Sequence, residues 1–145
     1  MSASSSNLAA LAPGIAAAGA LDQHDIEALA QQGVRTIINN RPDGEDAGQV
    51  PAAEARRLAE AHGIAYHHIP VTAASLSRAD VAAFAAVLRS AAQPVIAHCR
   101  SGTRSTLLWA LTRLDEGDDP AALIAQAARQ GIDIAALPAF AARLG

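Results

Sequence analysis

Four short apolar runs, at residues 14–18, 34–39, 64–71 and 95–98, are separated by stretches whose apolar positions recur every three or four residues. That alternation constrains the fold more than any other feature of the chain. Strands parted by helix-length segments join as parallel neighbours, with the helices crossing over the faces of the sheet. The expected architecture is α/β and three-layered, with a mostly parallel four- to five-stranded sheet and helices on both faces.

The helix signals fill in the order. Residues 22–32 carry Ile26, Leu29 and Ala30 at helical spacing, Asp22 and Asp25 in the first turn, and Gly33 as the stop. Residues 51–62 begin with Pro51 at the first helical position and stop at Gly63. Residues 77–90 open with Ser77 as N-cap and Asp80 three residues on, the spacing of a capping box. A helix from 102 or 105 to 116 presents Leu107, Leu108, Leu111 and Leu114 on one face, and two more follow over 120–130 and 138–144. The run 14–18 is mostly alanine, which has little β propensity. No linker or internal repeat interrupts the pattern. The expected organisation is a flexible leader over 1–10, polar at 2–7, followed by one domain over 11–145.

Composition narrows the function classes. Apolar residues are 51% of the 145 but aromatics only 3%, so the core is expected to be small-residue helix packing. All 11 basic residues are arginine and the net charge is -3, without the basic footprint of a nucleic-acid binder. One cysteine cannot form an intramolecular disulfide. Residues 1–11 lack the basic and apolar regions of a signal peptide, and no apolar run reaches membrane-spanning length. The expectation is a cytoplasmic bacterial-type enzyme with no membrane partner. The histidines are scattered, and the adjacent His67 and His68 point to opposite sides of a strand, so neither a metal nor another cofactor is expected.

The last apolar run leads directly into the chemistry: Ile96-Ala97-His98-Cys99-Arg100-Ser101-Gly102-Thr103-Arg104-Ser105. A lone cysteine is ordinarily a small buried hydrophobe. Here it ends a strand and enters a glycine-bearing loop, with an arginine at the start of a helix. Loop amides, a helix N-terminus and a guanidinium all favour an anion, so together they activate a thiolate and attract an anionic substrate.

The order strand, His-Cys, loop, Arg-Ser, helix resembles the signature of cysteine-based phosphatases. The resemblance implies Cys99 as nucleophile, Arg104 as bidentate oxyanion clamp, and Ser105 as the hydroxyl that stabilises the thiolate as it leaves. It also implies Gly102 as the permissive loop residue and His98 as a brace for the loop. Arg100, Ser101, Gly102 and Thr103 then form the substrate-binding cradle, with Arg100 raising its positive potential. Those four residues between Cys99 and Arg104 are one fewer than the phosphatase signature carries, and the shorter spacing looks like the rhodanese sulfurtransferases. Upstream the likeness returns to phosphatases. Thr36-Ile37-Ile38-Asn39-Asn40-Arg41-Pro42-Asp43-Gly44-Glu45 is similar to the Asn-x-Arg strand end of dual-specificity-type enzymes, and His67-His68-Ile69-Pro70-Val71 to their next strand. Residues 21–111 together resemble the phosphatase-like domain of the bacterial beta-lactamase hydrolase-like proteins, whose members are described both as phosphatase-like and as sulfur transferases. A cysteine-phosphatase-like fold is implied.

A phosphomonoesterase needs an acid to protonate the leaving oxygen. The segment 72–77, where related phosphatases carry it, has no carboxylate. Asp43 is the expected substitute, ahead of Glu45 and Asp46, against the plainer reading that Asp43-Gly44 only makes a turn. Arg41 reads either as a second anion contact or as a partner that positions this loop. Trp109 is expected in the core or at its rim. The leading expectation is a cysteine-dependent phosphatase working through a thiophosphate on Cys99, with a phosphorylated protein or small phosphomonoester as substrate. Protein phosphotyrosine is among the candidates, although so few aromatics give no sign of the deep aromatic-walled pocket it calls for. The alternatives are a sulfurtransferase that carries a Cys99 persulfide from a sulfane-sulfur donor, and a non-catalytic phosphate-binding module. Oligomeric state has no signature in the sequence.

Overall fold

A computed structural model describes residues 8–145, so the polar part of the expected leader, 2–7, lies outside the described residues. The elements are β1 (Ala9–Ala12), β2 (Ile15–Ala18), α1 (Gln23–Gln31), β3 (Thr36–Asn39), α2 (Ala52–Ala61) and β4 (Ala65–His68). They continue with α3 (Arg78–Ser90), β5 (Val95–His98), α4 (Thr103–Asp115), α5 (Pro120–Arg129) and α6 (Leu137–Leu144). The expected capping box on α3 forms, and Asp22, read as part of the first turn of α1, is the N-cap of that helix. Asp22 and Asp25 close a capping box on α1, Ser77 and Asp80 close one on α3, and Asp119 accepts the Ala122 amide at the start of α5. Pro51 is the N-cap of α2 and not its first helical residue. The run 64–71 pairs regularly only over Ala65–His68.

One strand departs from expectation. Ala9 and Ala10 are not leader but the start of β1, which runs antiparallel to β2 through a tight turn at Pro13 and Gly14. Gly14 takes the left-handed conformation there, φ 84°. Ala9 and Leu11 are buried while Ala10 is exposed, so β1 is amphipathic with a period of two. Its outer edge is occupied by α5 and its C-cap. The Ala10 amide donates to Gln130 at 3.2 Å, and Gln126 donates to the Ala10 carbonyl at 3.2 Å. Alanines conceal the strand in the sequence; the Pro-Gly pair was the signal that marks its turn.

The sheet order is β1-β2-β5-β3-β4, and every pair except β1–β2 is parallel. Successive residues of the central strand face opposite cores. Ile96 packs with Ile26, Leu29, Ile37, Ile64 and Tyr66 beneath α1 and α2. Val95 and Ala97 pack with Ile38, Phe84, Leu108, Trp109 and Leu111 beneath α3 to α6. The crossovers through α1 and α2 therefore lie on one face, and the α3 crossover into β5 on the other. That reversal opens a crevice at the carboxyl end of β5. The register brings Ala18, His98, Asn39 and His68 level along that edge, so the loops that follow these strands meet there. Among the described residues no helix is long and apolar enough to cross a membrane.

Phe84 is completely buried on α3 and is among the largest side chains in its core. Phe84→Ala is expected to lower unfolding free energy by about 3–5 kcal/mol, since it removes transfer energy and leaves a cavity. Urea denaturation followed by circular dichroism checks this.

Candidate active site

Cys99 follows the last residue of β5 and is fully buried. Its amide donates to the Ala18 carbonyl at 3.3 Å, which extends the sheet by one residue. The chain then turns through Arg100, Ser101 and Gly102, the last at φ 92°, and enters α4. That left-handed turn requires glycine and points the Gly102 amide back at Cys99 Sγ, 3.1 Å away. An N–H at the first turn of a helix, aimed at sulfur, is the contact that an anion accepts. The loop packs tightly against the segment after β2. Ala20 donates to the Arg100 carbonyl at 3.2 Å, and a Cβ on Gly19 would sit only 3.2 Å from that same oxygen. Ser101 and Thr103 join hydroxyls at 3.2 Å on the exposed side of the cradle.

Arg104 lies in the first turn of α4, and two loops hold its guanidinium. Nη1 donates to the Val71 carbonyl at 2.9 Å and to Glu45 Oε2 at 2.6 Å, while Nη2 donates to Glu45 Oε1 at 3.0 Å. The guanidinium also interacts with the Cys99 sulfur. None of the hydrogen bonds to Glu45 and Val71 uses Nε. The Nε–Nη2 edge is therefore left for another acceptor. The hydrogen bonds from Arg104 hold the Glu45 carboxyl below the usual range, and Glu45 in turn raises the affinity of Arg104 for its proton.

Glu45 is shared. Arg41, which is buried, donates from Nε to Glu45 Oε1 at 3.0 Å and from Nη2 to Asp46, and Arg100 pairs with Asp46 at 3.2 Å. Three arginines from two segments thus grip two carboxylates of the loop after β3. Of the two roles read for Arg41, the structure places it as the partner of this loop. Asp43, expected to overhang the cradle as proton donor, instead accepts the Ala52 amide at 2.9 Å, at the N-terminus of α2. The reason is local: a helix start leaves amides without partners, and the Pro51 ring has no acceptor to cap them. Arg100 remains largely exposed beyond Asp46.

A second layer fixes these groups. Asn40 Nδ2 donates to the Ile69 carbonyl at 3.0 Å, which orients the amide and leaves Oδ1 to accept from the Ser105 hydroxyl at 2.7 Å. All three groups are buried or partly buried, and Asn40 ties the end of β4 to the start of α4. The Ser105 proton is therefore directed at Asn40 and not at the Cys99 sulfur, where the family resemblance had placed it. Asn40 is a site residue that sequence reasoning missed as such; the Asn-Asn-Arg-Pro strand end was its signal. Its neighbour Asn39 accepts the Arg41 amide at 2.8 Å and donates to the Tyr66 hydroxyl at 2.9 Å. His68 Nε2 lies 2.9 Å from the Arg41 carbonyl. His98 is buried between β2 and β3, and its Nδ1 has no hydrogen-bond partner among the described residues. Burial drives its pKa down to about 3, so it is neutral at physiological pH.

Residues 7–117 match the family model for the beta-lactamase hydrolase-like protein, phosphatase-like domain. A beta-lactamase hydrolase-like protein from Agrobacterium fabrum is 40% identical over 93 residues, 64% of this chain but 22% of that protein. The chain thus spans about a fifth of the length of the curated relatives it matches. Among solved structures, a Neisseria meningitidis protein provisionally described as a phosphatase is 35% identical over 97% of both chains, with a TM-score of 0.83. A kinase associated phosphatase with its catalytic-site cysteine replaced by serine is 20% identical, covering 90% of this chain and 86% of its own, with a TM-score of 0.73. It shows a shared fold.

The neutral state of His98 has a consequence for stability. Unfolded, a histidine binds a proton near pH 6.5; folded, His98 does so only near 3. Between those values the unfolded chain binds more protons, so this contribution to stability is present above 6.5 and is lost as pH falls. From pH 7 to pH 5 it amounts to about 2 kcal/mol. Unfolding free energies from urea titrations at the two pH values are expected to differ by that much more in the wild type than in His98→Gln; parallel losses would contradict it.

Proposed function

Because this chain belongs to the phosphatase-like domain family of the beta-lactamase hydrolase-like proteins, we propose that it is a cysteine-dependent phosphatase that works through a thiophosphate on Cys99. The observation that carries this reading is the edge of Arg104. Glu45 and Val71 take three of the five guanidinium N–H groups, and the two that remain share the Nε–Nη2 edge beside Cys99. That edge matches two oxygens of a phosphoryl group in the bidentate manner. The backbone amides of the loop over Arg100, Ser101, Gly102 and Thr103, at the N-terminus of α4, supply further donors. Sγ then attacks phosphorus in line with the leaving oxygen, and water releases phosphate from sulfur in a second step. Arg104 and the amides are worth most where charge builds on the oxygens of the transferring group. Substrates in this reading are phosphorylated proteins or small phosphomonoesters.

A second reading is supported by the four-residue spacing from Cys99 to Arg104, which gives a smaller cradle. In it Cys99 accepts a sulfane sulfur as a persulfide, and Arg104 and the loop amides hold the donor's anionic end. Parallel assays separate the two. The phosphatase reading expects wild-type protein to release p-nitrophenol from its phosphate, with inhibition by vanadate. It expects Cys99→Ser to abolish turnover and Arg104→Lys to lower kcat/KM by about 10²–10³ through loss of the bidentate edge. Silence in this assay, with a persulfide on Cys99 after thiosulfate treatment in intact-mass measurement, would establish the sulfurtransferase instead.

A further inference from the structure

Displacement at phosphorus ends with an oxygen leaving as an anion, and an enzyme either protonates that oxygen or leaves it to water. A proton donor must retain its proton until the transition state, so its surroundings cannot favour the anion. Among the described residues, each carboxylate beside this cradle is already engaged as an acceptor or ion-pair partner. Glu45 accepts two hydrogen bonds from Arg104 and one from Arg41, and those contacts hold it ionised. Asp46 lies between Arg41 and Arg100. Asp43 accepts an amide at the N-terminus of α2. Asp22 and Asp25 are closed into their capping box.

The remaining candidates are equally committed. The segment 72–77 has no acid, and its Thr72 and Ser75 hydroxyls bond to each other at 3.0 Å. The residue before it, Val71, meets Arg104 through its carbonyl. His68 directs Nε2 at the Arg41 carbonyl. Ser105 donates to Asn40.

We propose that this site works without a general acid and therefore selects phosphoryl compounds whose leaving group is stable as an anion, aryl phosphates and phosphoanhydrides, over alkyl phosphomonoesters such as phosphoserine. The inference rests on the phosphatase reading. In the first step a lone pair of Sγ forms the S–P bond as the P–O bond breaks. The electron pair stays on the departing oxygen, which takes its proton from water. In the second step the oxygen of water attacks phosphorus, the S–P electrons return to Sγ, and the proton of that water passes to solvent. With no proton supplied in the first step, each pKa unit of leaving-group basicity costs up to about tenfold in rate. Glu45 is then a positioning residue. It holds the outer end of Arg104 and so presents the Nε–Nη2 edge to the substrate.

The test is kcat/KM across a series from p-nitrophenyl phosphate through phenyl phosphate to an alkyl phosphate, for the wild type and for Glu45→Gln, Asp46→Asn and Asp43→Asn. The wild type alone decides the main point, so no variant needs to fold for the result to count. The expected result is a fall of roughly tenfold per unit of leaving-group pKa. Glu45→Gln is expected to lower every substrate by a similar factor, leaving the slope as it was. A flat wild-type series overturns the inference while leaving a phosphatase in place. So does a variant whose slope steepens, since its carboxylate is then the acid. No turnover of p-nitrophenyl phosphate by the wild type removes the phosphatase reading, and the inference with it.

Discussion

A guanidinium at the end of a flexible side chain holds one orientation only when its donors are spoken for, and Glu45 provides this for Arg104. The pair joins the loop after β3 to the helix after β5, 59 residues apart in the chain. Through Arg41 it also fixes the loop that carries Asp43, Glu45 and Asp46. Partly buried and bidentate, it is a stronger contact than an exposed ion pair. Its geometry depends on the parallel register that brings the ends of β3 and β5 level.

Charge gives the arrangement its chemical meaning. Arg41, Arg100 and Arg104 against Glu45 and Asp46 leave one positive charge over the cradle, enough to balance a thiolate on Cys99. The potential that attracts an anionic group therefore comes largely from oriented dipoles, the Gly102 amide and the N-terminus of α4. A loop already neutralised by its own carboxylates has its charges committed to geometry, which suits precise holding of an oxyanion more than proton transfer.

The fold was legible because its signals are local. The cap at Ser77, the acidic start of α1 and the β-branched runs at β3 and β5 all name their own elements. β1 escaped because four residues of mostly alanine have no strand propensity of their own, and Leu11 finds its partners only in the folded core. The strand, glycine turn and helix that carry Cys99 and Arg104 were readable for the same local reason: they are contiguous. What lies across from them was not. Asp43 looked like the acid because it follows a strand end, but the free amide of Ala52 that captures it is nine residues on. Asn40 and Glu45 meet α4 only through the sheet, and the resemblance that placed Ser105 on the sulfur could not reveal that its proton goes to Asn40.

In the proposed reaction Cys99 itself receives the phosphoryl group. Rapid quenching of the wild-type protein during turnover of p-nitrophenyl phosphate, followed by mass spectrometry of the peptide containing Cys99, addresses it directly. A phosphoryl adduct on Cys99 is expected to appear with the release of p-nitrophenol and to decay as substrate is exhausted. Turnover with an unmodified Cys99, or with phosphate on any other residue, would contradict it.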